Sequence, residues 1–231
     1  MMTFGSHANY IDAADRLVHE ADSLHLFTEI RRYTPEQFPR DFLTQHADFI
    51  SKNPRGYGYW VWKPYLILQE MNRLNDGDIL LYLDCGCELR PGAREKLMEC
   101  IPHVKRDKLL CAKPTLFPET MWTKMDLIDR MGMRDHYFTY QLEGGILLFL
   151  VCHEMKTFLK EWYTLCCTYA NIDDSPSRIP NMAWFVEHRH DQSVFSLLAK
   201  KYTVSSHPLC TAIHYARNKT GVSTYREDSL I

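Results

Sequence analysis

Apolar residues recur at helical spacing through Ile11, Ala14, Leu17, Val18 and Ala21, which predicts a helix over 11–23. Ahead of it, Met2–Phe4 is a short apolar run entering Gly5-Ser6, and Leu24–Ile30 behind it reads as a second strand. Pro35 and Pro39 mark a loop before a short helix over Asp41–Ile50. Proline is tolerated in a first helical turn, so Lys63-Pro64 opens a helix running to Leu74. Asn75-Asp76-Gly77 then turns the chain into the apolar run Ile79–Leu83, which ends abruptly in Asp84. A continuous run of that length predicts a strand covered on both faces, as in a parallel sheet. Further on, the pattern predicts a helix over Pro91–Ile101, a strand over Lys108–Ala112 and a strand over Ile146–Val151 behind Glu143-Gly144-Gly145. A helix over Glu154–Tyr169, a surface loop over 171–180, a helix over Asp191–Lys201 and a last strand over Tyr202–Ser205 complete the series, and the tail from His214 is polar. Strands alternating with helices predict an α/β fold.

Composition narrows this picture. With 231 residues, 45% hydrophobic and 24% charged, the chain can bury one substantial core, so a single domain is expected. A net charge of −2 gives no bulk attraction to nucleic acid, and no nucleic-acid partner is expected. The longest apolar run, Ile146–Cys152, is far short of the roughly 20 residues of a membrane span. No start resembling a signal peptide is visible. The eight cysteines form no C-x-x-C framework and lie beside apolar runs, which points to reduced, core-filling thiols and a cytoplasmic setting, with peripheral membrane contact left open. Cys85 and Cys87 flank Gly86 without a further thiol or His pair at a soft-metal spacing.

Four groups of residues carry candidate chemistry. Asp84 stands at the carboxyl end of a buried strand, where open α/β sheets bind ligands, and a carboxylate there can hold a hard cation; the competing role is a turn cap. The tail holds His214, Arg217 and Lys219, an imidazole and two cations suited to a metal-bound, multiply charged ligand, or simply a solvated end. The segment Arg55–Lys63 mixes glycines with Tyr57, Tyr59, Trp60 and Trp62, a combination that serves a packed turn or a stacking surface, and Lys63 at a helix start would draw phosphate. Glu143-Gly144-Gly145 permits close approach of a ligand, and Asp191-Gln192 sits at a helix start, with Asp191 either its N-cap or a site residue.

Taken in order, Thr3-Phe4-Gly5, Asp84-Cys85-Gly86, Glu143-Gly144-Gly145-Ile146, Asp191-Gln192 and His214-Tyr215 with Lys219 resemble a nucleotide-sugar glycosyltransferase of the GT-A fold. The likeness spans nearly the whole chain. It looks closest to small bacterial and viral transferases carrying Arg-Gly-Tyr-Gly-Tyr-Trp-x-Trp-Lys-Pro, here residues 55–64, and is more distantly similar to the retaining group of glycogenin and the lipopolysaccharide galactosyltransferases.

That resemblance implies a single Rossmann-like domain over 1–231 with a mixed, mainly parallel sheet flanked by helices, and a tail, 206–231, closing over the donor site. It implies Asp84 and His214 as ligands of Mn2+ or Mg2+. Phe4, Gly5, Lys63 and Lys219 would bind the nucleotide-sugar donor, with Lys219 on its diphosphate. Gly144 and Gly145 would admit the acceptor, a glycan or lipid-linked saccharide. Gln192, with Asp191, would line the sugar pocket beneath the anomeric carbon. Gly86 departs from the family pattern: a second Asp would stand there, and Glu88 or water would have to substitute. A retaining reaction is the first expectation and an inverting one, with Asp191 as base, the second. Two rivals are a nucleotidyltransferase, disfavoured because Gly5–Asn9 has one glycine and no Lys or Arg, and a degenerate relative that only binds carbohydrate.

Overall fold

The computed structural model describes every residue except 113–117, 205, 208–212, 215–217 and 223–231, and at 213 and 214 the backbone alone. The sheet strands are β1 (Met2–Phe4), β2 (Arg31–Tyr33), β3 (Ile79–Leu83), β5 (Leu109–Ala112) and β6 (Glu143–Leu150), and a two-residue β4 (Glu88–Leu89) pairs separately with β7 (Ile213–His214). The five strands lie in the order β2-β1-β3-β6-β5. β1 is parallel to β2 and β3, and β6 is antiparallel to both β3 and β5. Four strands therefore run one way and β6 runs against them, the mixed, mainly parallel α/β sheet of a single domain.

The reversal of β6 matters for the site. Leu83 at the end of β3 faces Ile146, so the start of β6 lies beside the carboxyl ends of β1 and β3. The alternation of side chains along β3 divides the core. Leu80 and Tyr82 join the larger cluster with Trp62, Ile67, Phe158, Trp162 and Phe195. Leu81 and Leu83 join the other with Leu17, Ala21, Leu97 and Val104. With a period of two, a strand covered on both faces must be apolar at every position, which is why Ile79–Leu83 reads as a run. Each fully buried Leu or Phe contributes about 1.5–3 kcal/mol of transfer free energy.

The helices supply the cover: α1 (Ala8–Ser23) and α5 (Ala93–Asp107) on one face, and α2 (Arg40–Lys52), α4 (Trp62–Met71), α8 (His153–Cys167) and α9 (His190–Lys201) on the other. Short turns α3 (Gly56–Tyr59), α6 (Glu119–Trp122) and α7 (Met125–Arg130) have too few residues to show a periodic stripe. No helix among the described residues is long and apolar enough to cross a membrane.

Several sequence boundaries move. The predicted strand over Leu24–Ile30 is instead a loop, and the strand is Arg31–Tyr33, whose polar residues lie at the sheet edge where apolar content is not required. Tyr202 and Thr203 form a turn after α9, not the last strand, with Thr203 at φ 57 and Val204 N–H closing onto Ala199 O at 2.9 Å; Ser205 lies outside the described residues. The helix expected to stop at Ile101 runs through Pro102 to Asp107, because Leu97, Cys100 and Val104 continue its buried stripe. Glu143-Gly144-Gly145 is the first part of β6 rather than its approach. Asp191 is not the N-cap of α9, which is Arg189; it lies inside the first turn. The seven described cysteines are free thiols, five of them buried, and Cys210 lies outside the described residues.

Candidate active site

A cleft of about 600 Å3 opens beside the carboxyl ends of β1 and β3. Phe4, Ser6, His7, Tyr10 and Lys219 line one part of it; Asp84, Cys85, Gly86, Lys63 and Tyr82 another; and Pro54, Arg55, Gly56, Trp60, Trp62, Glu187, Arg189, His190, Asp191 and Gln192 the rest.

Asp84 is fixed by the backbone around it. Its N–H donates to Gly145 O at 2.8 Å, and its carbonyl accepts from Cys87 N at 2.9 Å, so the chain turns directly after β3. Its Oδ1 accepts the Tyr82 hydroxyl at 2.6 Å and lies 3.3 Å from Lys63 Nζ. The side chain stays 22% exposed, toward the cleft.

Lys63 joins the site together. Its ammonium is 3.0 Å from Asp191 Oδ2, 3.3 Å from Asp84 Oδ1, and donates to Gly144 O at 3.3 Å. Three elements, the β3 end, the first turn of α9 and the start of β6, thus meet on one buried cation. The pairing sets the chemistry of Asp191. Burial pushes its carboxyl up to about 6, Lys63 opposes the rise, and Asp84 adds to it. Tyr82 is pushed well above its ordinary value, first by burial and then by Asp84, so it stays a hydroxyl that donates.

Gln192 lies on the adjoining floor. Gly144 N–H donates to its Oε1 at 3.2 Å, and its Nε2 donates to Gln141 Oε1 at 2.8 Å. Gly144 and Gly145 lie in β6 behind Lys63 and Asp84; their carbonyls accept from those two residues and they are not among the cleft-lining residues. Gly5 also sits behind the cleft: a Cβ there would fall 2.5 Å from Tyr10 O, so its role is to let α1 start close against β1. Phe4 does line the cleft and packs on Trp62, with ring centroids 3.9 Å apart.

The aromatic segment has an unusual backbone. Five successive residues, Gly56, Tyr57, Gly58, Tyr59 and Trp60, have φ between 49 and 81, a single left-handed turn. For a residue with a side chain this costs roughly 1–2 kcal/mol, so the surroundings must hold it. Trp62 Nε1 donates to Gly56 O at 2.9 Å, and the Trp60 ring lies where a Cβ on Gly56 would be, 2.4 Å away. His190, itself at φ 49, stacks on Tyr59 with centroids 4.5 Å apart and donates through Nδ1–H to Ile172 O, 2.7 Å away. Burial lowers its affinity for a second proton.

Sequence reasoning missed Arg16. Its buried guanidinium reaches Cys85 O, Cys87 O and Asn218 O at 3.1, 2.9 and 3.2 Å, Thr220 O at 3.1 Å, and Glu20 at 2.7 Å. It ties the turn after β3 to the segment 218–220. The signal was present: Arg16 and Glu20 are four residues apart beside the apolar stripe of α1, where a buried pair can form. Lys219 reaches the cleft mouth, its Nζ 5.0 Å from the Tyr10 ring centroid. Asn218 donates to Glu88 at 2.6 Å, and Glu88 is buried on β4 and is not among the cleft-lining residues. His214 pairs by backbone with Glu88; its side chain, like Arg217, lies outside the described residues.

Among the described residues no three His, Cys, Asp or Glu side chains converge as a metal site. Asp84 offers one partly exposed carboxylate, with one oxygen already engaged by Tyr82 and Lys63. The described side chains alone therefore make an incomplete set for Mn2+ or Mg2+, which take about six oxygen-rich ligands.

No protein-family model matches the chain, and no curated protein matches it in sequence. Solved structures similar to it include the galactosyltransferase LgtC in complex with donor and acceptor sugar analogues, at 16% identity and a TM-score of 0.43 over 96% of this chain and 84% of that one. Mouse xyloside xylosyltransferase 1 is similar at 11% identity and a TM-score of 0.47, over 91% and 84% of the two chains. A glycosyltransferase involved in glycosylating the major capsid of PBCV-1 is similar at 16% identity and a TM-score of 0.35, over 81% of each chain.

Proposed function

We propose that this chain is a glycosyltransferase that moves a hexosyl group from a nucleotide-diphosphate sugar, most simply a UDP-sugar, to a hydroxyl of a glycan or lipid-linked saccharide. The observation that carries the reading is the Asp84–Lys63–Asp191 arrangement at the β3 end, with Gln192 on the same floor and Lys219 at the mouth. Carboxylates and an amide suit the hydroxyls and developing positive charge of a pyranosyl ring. An exposed lysine beside an aromatic ring suits a nucleoside diphosphate.

In this reading the bond from the anomeric carbon to the β-phosphate oxygen breaks and a bond to the acceptor oxygen forms. The acceptor proton passes to the departing phosphate oxygen, and configuration is retained. Gln192 stabilises positive charge near the anomeric carbon, and Asp191 holds the sugar through its fixed carboxylate. The inverting alternative asks Asp191 to remove the acceptor proton; its burial and its ion pair with Lys63 favour the positioning role instead. A divalent cation held by Asp84 and His214, with the donor's own phosphate oxygens, would stabilise charge on the leaving diphosphate.

The test is a panel of UDP- and GDP-sugars, read by thermal shift and by release of nucleoside diphosphate, with Mn2+ or with EDTA. A donor at about 100 times its Kd adds about 2.7 kcal/mol, which raises Tm by roughly 5–10 °C in a chain of this size. One donor should produce that shift and release its diphosphate. If no donor shifts Tm or is turned over at millimolar concentration, the proposal is wrong. If EDTA leaves both unchanged, the metal part of it fails alone.

A further inference from the structure

The amide of Gln192 can be placed in two ways related by a flip of its oxygen and nitrogen, and the network behind it decides which. At one end stands the backbone N–H of Gly144, which can only donate; the atom it meets at 3.2 Å must be the Gln192 oxygen. The Gln192 nitrogen then donates to Gln141 Oε1 at 2.8 Å. This commits the Gln141 nitrogen to Thr123 Oγ1 and Ser193 Oγ, at 3.1 and 3.2 Å. Thr123 in turn donates to Glu119 Oε2 at 2.9 Å. Glu119 is a fully buried carboxylate, which can only accept, and Lys200 and Ser196 hold its other oxygen. A pure donor at one end and a pure acceptor at the other give every proton between them one direction. Gln141, itself fully buried, is the link that transmits this order to the cleft.

We infer that Gln141, backed by Glu119, is a positioning residue that fixes the amide of Gln192, committing its nitrogen to Gln141 and keeping its carbonyl oxygen, which has a second lone pair beside the Gly144 bond, as the acceptor offered to a ligand. The inference rests on the proposed transfer reaction, in which that oxygen faces a carbon becoming positive. Reversing the amide would present N–H groups to the same carbon and oppose the reaction.

Two variants test it. Gln141→Leu removes the oxygen that accepts from Gln192 and leaves the cleft lining unchanged. Its expected result is a fall of at least tenfold in kcat for donor turnover, with donor KM and UDP affinity by calorimetry within about twofold of wild type. The exchange Glu119→Gln with Gln141→Glu keeps an acceptor toward Gln192 and places the carboxylate two links nearer. It should restore kcat to within about threefold of wild type, which a merely structural role for Gln141 does not require. Wild-type kcat in Gln141→Leu overturns the inference. Should that variant fail to fold, the exchange variant decides: folded, with UDP affinity intact but kcat down tenfold, it also overturns the inference. Absence of turnover in the wild-type chain with every donor is a different result; it removes the transfer reading, and this inference with it.

Discussion

Lys63 shows how one residue can mean different things in sequence and in space. Read in sequence, it is a cation at a helix start and a candidate for phosphate. In the fold it is 3% exposed and lies between Asp84 and Asp191. Breaking a buried pair by removing one partner typically costs about 3–5 kcal/mol, because the remaining charge has no compensation. Lys63→Met should therefore lose about 3 kcal/mol in urea unfolding. Adding Asp191→Asn should recover a large part of that loss, since the two sites share one interaction. Losses that simply add would show that the pair is not coupled. Of the residues that sequence placed at the site, Asp84, Asp191, Gln192, Lys63, Lys219 and Phe4 do line one cleft. Gln141 and Glu119 were not legible, because each acts through a bond to a residue far away in the chain, and nothing local distinguishes them from ordinary polar positions; Arg16 left only the local trace of its pair with Glu20, while its bonds to Cys85, Cys87 and Asn218 lie far along the chain.

At the scale of an element, the turn Gly56–Trp60 is the clearest case of sequence stating a requirement without its geometry. Alternating glycines and aromatics announce an unusual turn; five left-handed residues in succession are visible only once folded. Three glycines separate the contributions. Gly77 has φ 96 and nothing within 4 Å of a Cβ, so Gly77→Ala should cost about 1 kcal/mol of backbone strain alone. Gly56→Ala adds a clash 2.4 Å from the Trp60 ring, and Gly58→Ala one 2.7 Å from Ile50 Cγ1. Both should lose roughly 2 kcal/mol or more, read from denaturant midpoints. Equal losses at all three positions would mean that packing around the turn contributes nothing. The strand misplaced at 24–30 teaches the converse. An apolar run can serve a loop that packs under the sheet edge, while Arg31–Tyr33 takes the ladder bonds.

Across the whole molecule, buried neutral histidines set the response to acid. Burial lowers His46 to about 4 and His188 to about 3. Their unfolded value is about 6.5, so below that pH the unfolded chain binds protons that the fold excludes, and stability falls as pH falls. Between pH 7 and pH 5 the two together remove up to about 4 kcal/mol. Asp191 works in the opposite sense: its carboxyl is raised to about 6, so the fold takes up that proton first and offsets roughly 1.4 kcal/mol by pH 5. From these three groups alone, stability in urea unfolding should decline by about 2–3 kcal/mol between pH 7 and pH 5, and His46→Gln should make the profile shallower. A flat profile would contradict the burial of these rings. What sequence alone determined is the alternation of strands and helices, the two-sided burial of Ile79–Leu83 and the placing of Asp84 at its end. These follow from periodicity and turn chemistry, which are local. Only the tertiary structure decided that β6 runs against its neighbours, that Lys63 pairs with two carboxylates, and that a chain of hydrogen bonds from Glu119 orients Gln192. Each of those depends on which distant segments meet, and a one-dimensional pattern carries no record of that meeting.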